Sequence, residues 1–131
     1  MKVKELMLKN KEFAILTENV VLKDAIDAMN DSKLGIACIV NSSNILTGLI
    51  TDGDLRRTLL KNQKPLSSIL LDYAVEHAIK NPVICKDDDD VRLAVSLMEK
   101  NKIWDLPVLN NSNELIGLLH LHNAIKVLIN K

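Results

Sequence analysis

The stretch Gly48-Leu49-Ile50-Thr51-Asp52-Gly53-Asp54-Leu55-Arg56-Arg57 concentrates groups that can do chemistry. It closes an apolar segment and opens a helical one, so Thr51, Asp52 and Asp54 stand at a helix N-terminus. Free N–H groups at such an end attract phosphate. A carboxylate in the same turn can accept hydrogen bonds from ribose hydroxyls. Arg56 and Arg57 bring two guanidinium groups within one turn, suited to phosphate oxygens. Gly53 lets a ligand approach the backbone closely. Together these residues could hold a sugar phosphate or a nucleotide. The same T-x-x-D spacing reads equally well as a capping box, with Asp52 and Asp54 complementing the positive end of the helix dipole.

Other candidates are weaker. On a continuing strand, His120 and His122 would place both rings on one side. No carboxylate or thiol lies at ligand spacing from them, so a nucleotide-contact or capping role outweighs zinc, and no metal is expected. Asp87-Asp88-Asp89-Asp90 does not match a calcium loop and directly precedes a helix, which reads as a solvated first turn. His77 reads as a surface cation at a helix C-terminus. There is no nucleophile-plus-base arrangement, no G-x-S-x-G and no Walker A, so no catalytic set is expected.

Composition narrows the classes. Of 131 residues, 17 are Lys or Arg and 17 are Asp or Glu, and the formal net charge is zero. No global field steers the chain to nucleic acid or an anionic membrane. The three aromatics, Phe13, Tyr73 and Trp104, are too few for a base-stacking platform. No run approaches the roughly 20 apolar residues of a membrane span. Met1-Lys2-Val3-Lys4-Glu5 lacks the apolar stretch of a signal peptide. Cys38, inside Ile36-Ala37-Cys38-Ile39-Val40, reads as a core residue, and Cys85 lies far from it. A cytoplasmic setting is expected.

The elements that must position these groups follow from an internal repeat. Residues 17–62 lie on residues 86–131 without a gap: Ala25 on Ala94, Met29 on Met98, Asn41 on Asn110, Gly48-Leu49 on Gly117-Leu118. Each repeat opens with a short extended segment, Ala14–Leu16 or Pro82–Cys85. A helix follows with one buried face, Leu22, Ala25, Ile26 and Met29 or Val91, Ala94, Val95 and Met98. Then come a buried strand (Ile36–Val40, Leu106–Leu109), a polar turn, a second strand (Ile45–Ile50, Leu115–Leu119) and a closing helix (Asp52–Leu60, Leu121–Ile129). An extra helix is expected over Leu66–His77, after Pro65. A three-stranded sheet of this size leaves one face uncovered, so two units are expected to stack those faces about a pseudo-twofold axis. The clefts between them are natural ligand sites. Trp104 and Asp105 fall where Gly35 and Ile36 fall in the first repeat, and the indole is expected to pack there.

The paired β-α-β-β-α repeats and Gly48-Leu49-Ile50-Thr51-Asp52-Gly53-Asp54 resemble a tandem CBS-domain pair, or Bateman module. Val3-Lys4-Glu5-Leu6-Met7 resembles that family's entry segment. Gly117-Leu118-Leu119-His120-Leu121-His122-Asn123, with Thr51–Arg57, is similar to the C-terminal CBS pair of bacterial arabinose-5-phosphate isomerases. The resemblance implies an α/β (α+β) fold of two units, residues 1–64 and 65–131 with a leading helix, packed sheet to sheet. It implies that Thr51 and Asp54 contact nucleotide phosphate and ribose, with Asp52, Arg56 and Arg57 beside them. Backbone at Ala14, Ile15, Leu34, Gly35 and Ile36 would hold the base. His120, His122 and Asn123 would line a second site that departs from the pattern, His120 standing for threonine and Asn123 for aspartate. The implied ligand is an adenosine phosphate or a nucleotide sugar resembling CMP-Kdo. The implied partners are a second copy in a homodimer and a sugar isomerase domain in cis or in trans, with no nucleic acid and no membrane. The chain is thus expected to be a regulatory module without catalysis of its own. The alternative reading is a structural dimerisation module with vestigial clefts.

Overall fold

The computed structural model describes residues 1–129. The chain divides into two compact units. Lys11–Pro82 form one, here the central unit; Met1–Asn10 and Val83–Lys131 form the other, here the terminal unit.

In the central unit the order is β1 (Ala14–Thr17), α1 (Leu22–Ser32), β2 (Ile36–Val40), β3 (Leu46–Thr51), α2 (Asp52–Lys61) and α3 (Leu66–Ile69). The sheet order is β1-β2-β3. β1 runs parallel to β2, which α1 makes possible by crossing over, and β2 runs antiparallel to β3. All five residues of β2 are buried, as expected for a continuous apolar run. Ala25 and Met29 turn from α1 onto Ala37, Ile39 and Ile50 of the sheet, forming one apolar core with Leu16 and Leu22.

The β2–β3 turn shows why the sequence folds as it does. The Asn41 side-chain oxygen accepts the N–H groups of Ser43 (2.9 Å) and Ile45 (3.1 Å), and Asn44 takes a left-handed φ of 63°. The same chemistry recurs at Asn110, which accepts from Ser112 (2.9 Å) and Glu114 (3.0 Å), with Asn113 at φ 64°.

The expected helix over Leu66–His77 is not continuous. α3 ends at Ile69, and a separate 3-10 turn spans Ala74–His77. The backbone between them is committed elsewhere. The carbonyls of Asp72 and Leu70 accept the N–H groups of Leu22 (2.8 Å) and Lys23 (3.0 Å). Those are orphan donors of α1, whose N-cap Val21 has no side chain to serve them. Ala74 N–H in turn donates to the Val20 carbonyl at 2.9 Å.

His77 is also not a free surface cation. Its Nε2 lies 2.8 Å from Asp72, and Lys64 Nζ reaches the same carboxylate at 2.8 Å. Hydrogen bonds from Lys64 and then His77 hold the Asp72 carboxyl below the usual carboxylate range. A lowered folded value gives stability that is complete above the unfolded pKa near 3.8 and is lost as pH falls through the folded one. Urea denaturation across the acid range is therefore expected to show wild type losing more stability below about pH 4 than Asp72→Asn. Parallel acid limbs for the two proteins would contradict this.

The terminal unit repeats the pattern with β4 (Cys85–Lys86), α4 (Val91–Asn101), β5 (Asp105–Leu109), β6 (Leu115–His120) and α5 (Leu121–Ile129). Its sheet order is β4-β5-β6. β4 is shorter than the Pro82–Cys85 expectation; its ladder holds only Cys85 and Lys86, and Pro82 has no N–H to extend it. The aspartate run is a helix entry, as expected. Asp90 caps α4 by accepting Arg92 N–H at 2.8 Å, and Asp88 pairs with Lys4 at 2.9 Å. The start of the chain is tied into this unit. Val3 N–H donates to Asp89 and Lys4 N–H to Asp87, and Leu8 exchanges two backbone bonds with Leu118 at 2.8 and 3.0 Å. Val3 is fully buried. Burial pushes the Cys85 thiol up to about 12, with the Asp89 charge adding to it, so it behaves as a core residue.

Candidate functional site

Thr51 is the last residue of β3 and the N-cap of α2. Its hydroxyl accepts Asp54 N–H at 3.2 Å and donates to Asp54 Oδ2 at 2.9 Å. Thr51 N–H reaches the same oxygen at 2.9 Å, closing a reciprocal box. Arg57 donates to Asp54 Oδ1 at 2.8 Å. Its guanidinium lies over the first turn, where a Cβ added at Gly53 would stand 3.1 Å from it. Asp54 is only 7% exposed. A carboxylate offers about four acceptor positions, and the bonds above use three. One position on Oδ1 stays open, beside an arginine whose side chain is half exposed. The capping role and a ligand role are therefore compatible in one set of atoms.

Asp52 follows directly. Its N–H donates to the Gly35 carbonyl at 3.0 Å, and its exposed carboxylate folds against the Gly35 Cα. A Cβ there would meet Asp52 Oδ2 and lie 2.9 Å from Asp52 Cγ. Gly35 and Asp52 form one wall of an open groove of about 420 Å³. Ile26, Met29, Leu34 and Leu55 supply apolar walls, and Asn30 and Lys33 supply a donor set and a cation. An apolar groove with a few convergent polar groups is the usual makeup of a small-molecule site.

Of the residues expected from sequence, the structure brings Leu34, Gly35 and Asp52 together in this groove. Thr51, Asp54 and Arg57 form the adjoining corner, and Arg56 is exposed on the same turn. Ala14 is buried on the edge strand β1 and Ile36 on the central strand β2, and Ile15 is half-buried, in register with Cys38. Sequence reasoning missed Asn30, which follows Met29 on α1, and Lys33, the left-handed C-cap of that helix.

The equivalent corner of the terminal unit differs. Leu121 N–H donates to the Trp104 carbonyl at 2.8 Å, matching the Asp52–Gly35 bond. The side chains do not match. His120 Nδ1 lies 2.7 Å from Asp105 Oδ1, its in-register partner across β5 and β6. Burial raises the Asp105 carboxyl above its ordinary value, against the lowering effect of His120. Asn123 turns to the Leu6 carbonyl at 3.4 Å, and His122 is exposed. Trp104 was expected to pack; it is 70% exposed instead. The preceding chain leaves α4 through Lys102 in a left-handed conformation, and Ile103 rather than Trp104 packs on the core.

Comparison with known proteins fits this architecture. The family model for the CBS domain matches residues 3–61 and 74–130. A Helicobacter pylori protein without an assigned function is 34% identical over 96% of this chain. Arabinose 5-phosphate isomerase KdsD of Francisella tularensis is 29% identical over 97% of it. The chain spans only 37% of the length of each of these relatives. Among solved structures, CBSX2 of Arabidopsis thaliana, crystallised with AMP, superposes with a TM-score of 0.85 at 20% identity, covering 98% of this chain and 96% of that one. A Bacillus anthracis CBS-domain protein superposes with a TM-score of 0.87 at 17% identity, over 100% and 94%. Two β-α-β-β-α repeats, each matched by the family model, place this chain in the CBS-domain family as a tandem pair.

Proposed function

We propose that the chain is a regulatory ligand-binding module whose central unit takes an adenosine phosphate or a nucleotide sugar. The observation that carries this reading is the groove of about 420 Å³ beside the Thr51–Asp54 corner. Its apolar walls suit a flat base. Asp52 and the open position on Asp54 suit ribose hydroxyls, and Lys33, Arg56 and Arg57 suit phosphate. The AMP complex of CBSX2 supports the adenosine class. The isomerase relatives support a link to a sugar-phosphate isomerase domain, in cis or in trans, with a CMP-Kdo-like nucleotide sugar as the competing ligand. This reading assigns the chain no catalysis, no nucleic-acid partner and no membrane role, and sets it in the cytoplasm. Among the described residues no helix is long and apolar enough to cross a membrane.

A thermal-shift panel of AMP, ADP, ATP, CMP and CMP-Kdo tests the proposal. At least one nucleotide is expected to raise the melting temperature in a saturable way; no shift from any of them would contradict it. Gly35→Ala sharpens the test. The exposed Asp52 carboxylate can swing away from the new methyl, so folding stability is expected to change by less than about 0.5 kcal/mol. The methyl and the displaced carboxylate sit in the groove, so nucleotide affinity is expected to fall at least about fivefold, roughly 1 kcal/mol.

A second reading has one observation in its favour. Leu59 and Leu66 are more than half exposed and line one small apolar pocket of the central unit with Leu22, Ile26 and Leu55. A homodimer through that face would hide them. Light scattering is expected to give twice the chain mass, with or without nucleotide.

A further inference from the structure

We propose that His120 and His122 form a two-imidazole site for a borderline divalent transition-metal ion such as Zn²⁺, with Asp105 as the carboxylate that orients the first imidazole. This rests on residues of the terminal unit alone and stands independently of the nucleotide groove.

Three observations converge. First, His120 Nδ1 is held by Asp105 Oδ1 at 2.7 Å. An imidazole that donates one N–H to a carboxylate presents its other nitrogen as a more basic, pre-oriented lone pair, the arrangement that metal-binding histidines adopt. Among the described residues nothing hydrogen-bonds to His120 Nε2. Second, the carboxylate is well placed for that task. Asp105 and His120 are directly paired across β5 and β6, so the backbone ladder fixes their separation. Asp105 is mostly buried, which leaves His120 as its partner. Third, the His122 ring lies with its centroid 6.5 Å from that of His120, tilted by 44°. A tetrahedral ion with Zn–N bonds of about 2.1 Å holds two ring centroids roughly 5 Å apart. His122 is exposed and on the first turn of α5, free to swing through the remaining distance. Water completes the coordination, since no group of three or more His, Cys, Asp or Glu that could hold a metal occurs among the described residues. Two protein ligands are one fewer than an open catalytic zinc site supplies, so the remaining positions exchange with solvent.

The sequence holds three histidines, which makes the test clean. ZnCl₂ is titrated calorimetrically into the full chain after EDTA treatment and dialysis. The expected result is one ion per chain, with affinity weakened at least about tenfold by His122→Ala and unchanged by the control His77→Ala. Asp105 is a positioning residue. Asp105→Asn is expected to weaken Zn²⁺ about tenfold, while the metal-free melting temperature separates this loss from unfolding. No saturable heat up to millimolar Zn²⁺ would overturn the proposal. So would equal affinity in wild type and His122→Ala, which would move the ion to an acidic surface such as Asp87–Asp90. Unaltered affinity in a folded Asp105→Asn protein would overturn the role given to Asp105.

Discussion

Asp54→Ala is expected to lower folding stability by about 2 kcal/mol and to abolish nucleotide binding. The carboxylate is nearly fully buried and accepts both the N–H and the hydroxyl of Thr51. Alanine leaves the Thr51 N–H without its acceptor at the N-cap of α2. Loss of a capping interaction costs roughly 0.5–2 kcal/mol, and loss of a charge-assisted bond about as much again. Arg57 rehydrates readily because its side chain is half exposed, so the pair it forms with Asp54 adds little. For a chain of this length the loss corresponds to a drop in Tm of several degrees, about 4–8 °C. Asp54→Asn keeps one acceptor and is expected to cost about half as much. Arg57→Ala gives the complementary result: stability within about 0.5 kcal/mol of wild type, but weaker binding of phosphorylated ligands than of the bare nucleoside. Urea denaturation paired with calorimetry reads both. An Asp54→Ala protein that binds nucleotide as wild type does would reduce the corner to a helix cap.

Gly117→Ala is the other large effect. Gly117 is buried on β6, and a Cβ there would stand 2.5 Å from Met7 Sδ and 2.8 Å from the Leu8 carbonyl oxygen. Met7 is flexible, but the Leu8 carbonyl is backbone and is fixed by its bonds to Leu118. The N-terminal strap Val3–Leu8 or the strand must shift, an overpacking penalty of about 1–3 kcal/mol. Gly48 occupies the same place in the first repeat. A Cβ there would meet only the Ala78 Cβ at 3.1 Å and Ile39 beyond it. Gly48→Ala is therefore expected to cost under about 1 kcal/mol. Hydrogen exchange at Leu8 and Leu118 gives a local readout, with faster exchange expected in Gly117→Ala alone. Equal destabilisation by the two substitutions would contradict the placement of the strap.

Much of the fold was legible in the sequence because local signals agreed with the packing. The Leu22-Ala25-Ile26-Met29 spacing marked α1, and the unbroken apolar run Ile36–Val40 marked β2 at its observed ends. The Asn41 and Asn110 turns carry their own side-chain acceptors, so the hairpins needed no distant partner. The Thr51–Asp54 box was legible for the same reason. What was not legible depends on groups far apart in the chain. The break between Ile69 and Ala74 arises because Leu22 and Lys23 need acceptors, a demand invisible in Leu66–His77 itself. Asp105 did not stand out beside His120, since only the antiparallel register of β5 and β6 joins residues so separated. Trp104 misled because large aromatics are usually covered, and here Ile103 takes the inward position. The strap at Val3–Leu8 follows the same rule, its partners lying at Asp87, Asp89 and Leu118.

The proposed nucleotide site lies at the edge formed by Gly35 and the Thr51–Asp54 turn. The decisive test is to titrate isotope-labelled protein with whichever nucleotide of the panel gives the largest thermal shift, following backbone amide resonances. Saturable shifts are expected, largest at Gly35, Thr51, Asp52, Gly53 and Asp54. Unmoved resonances there, or shifts confined to another part of the chain, would contradict it.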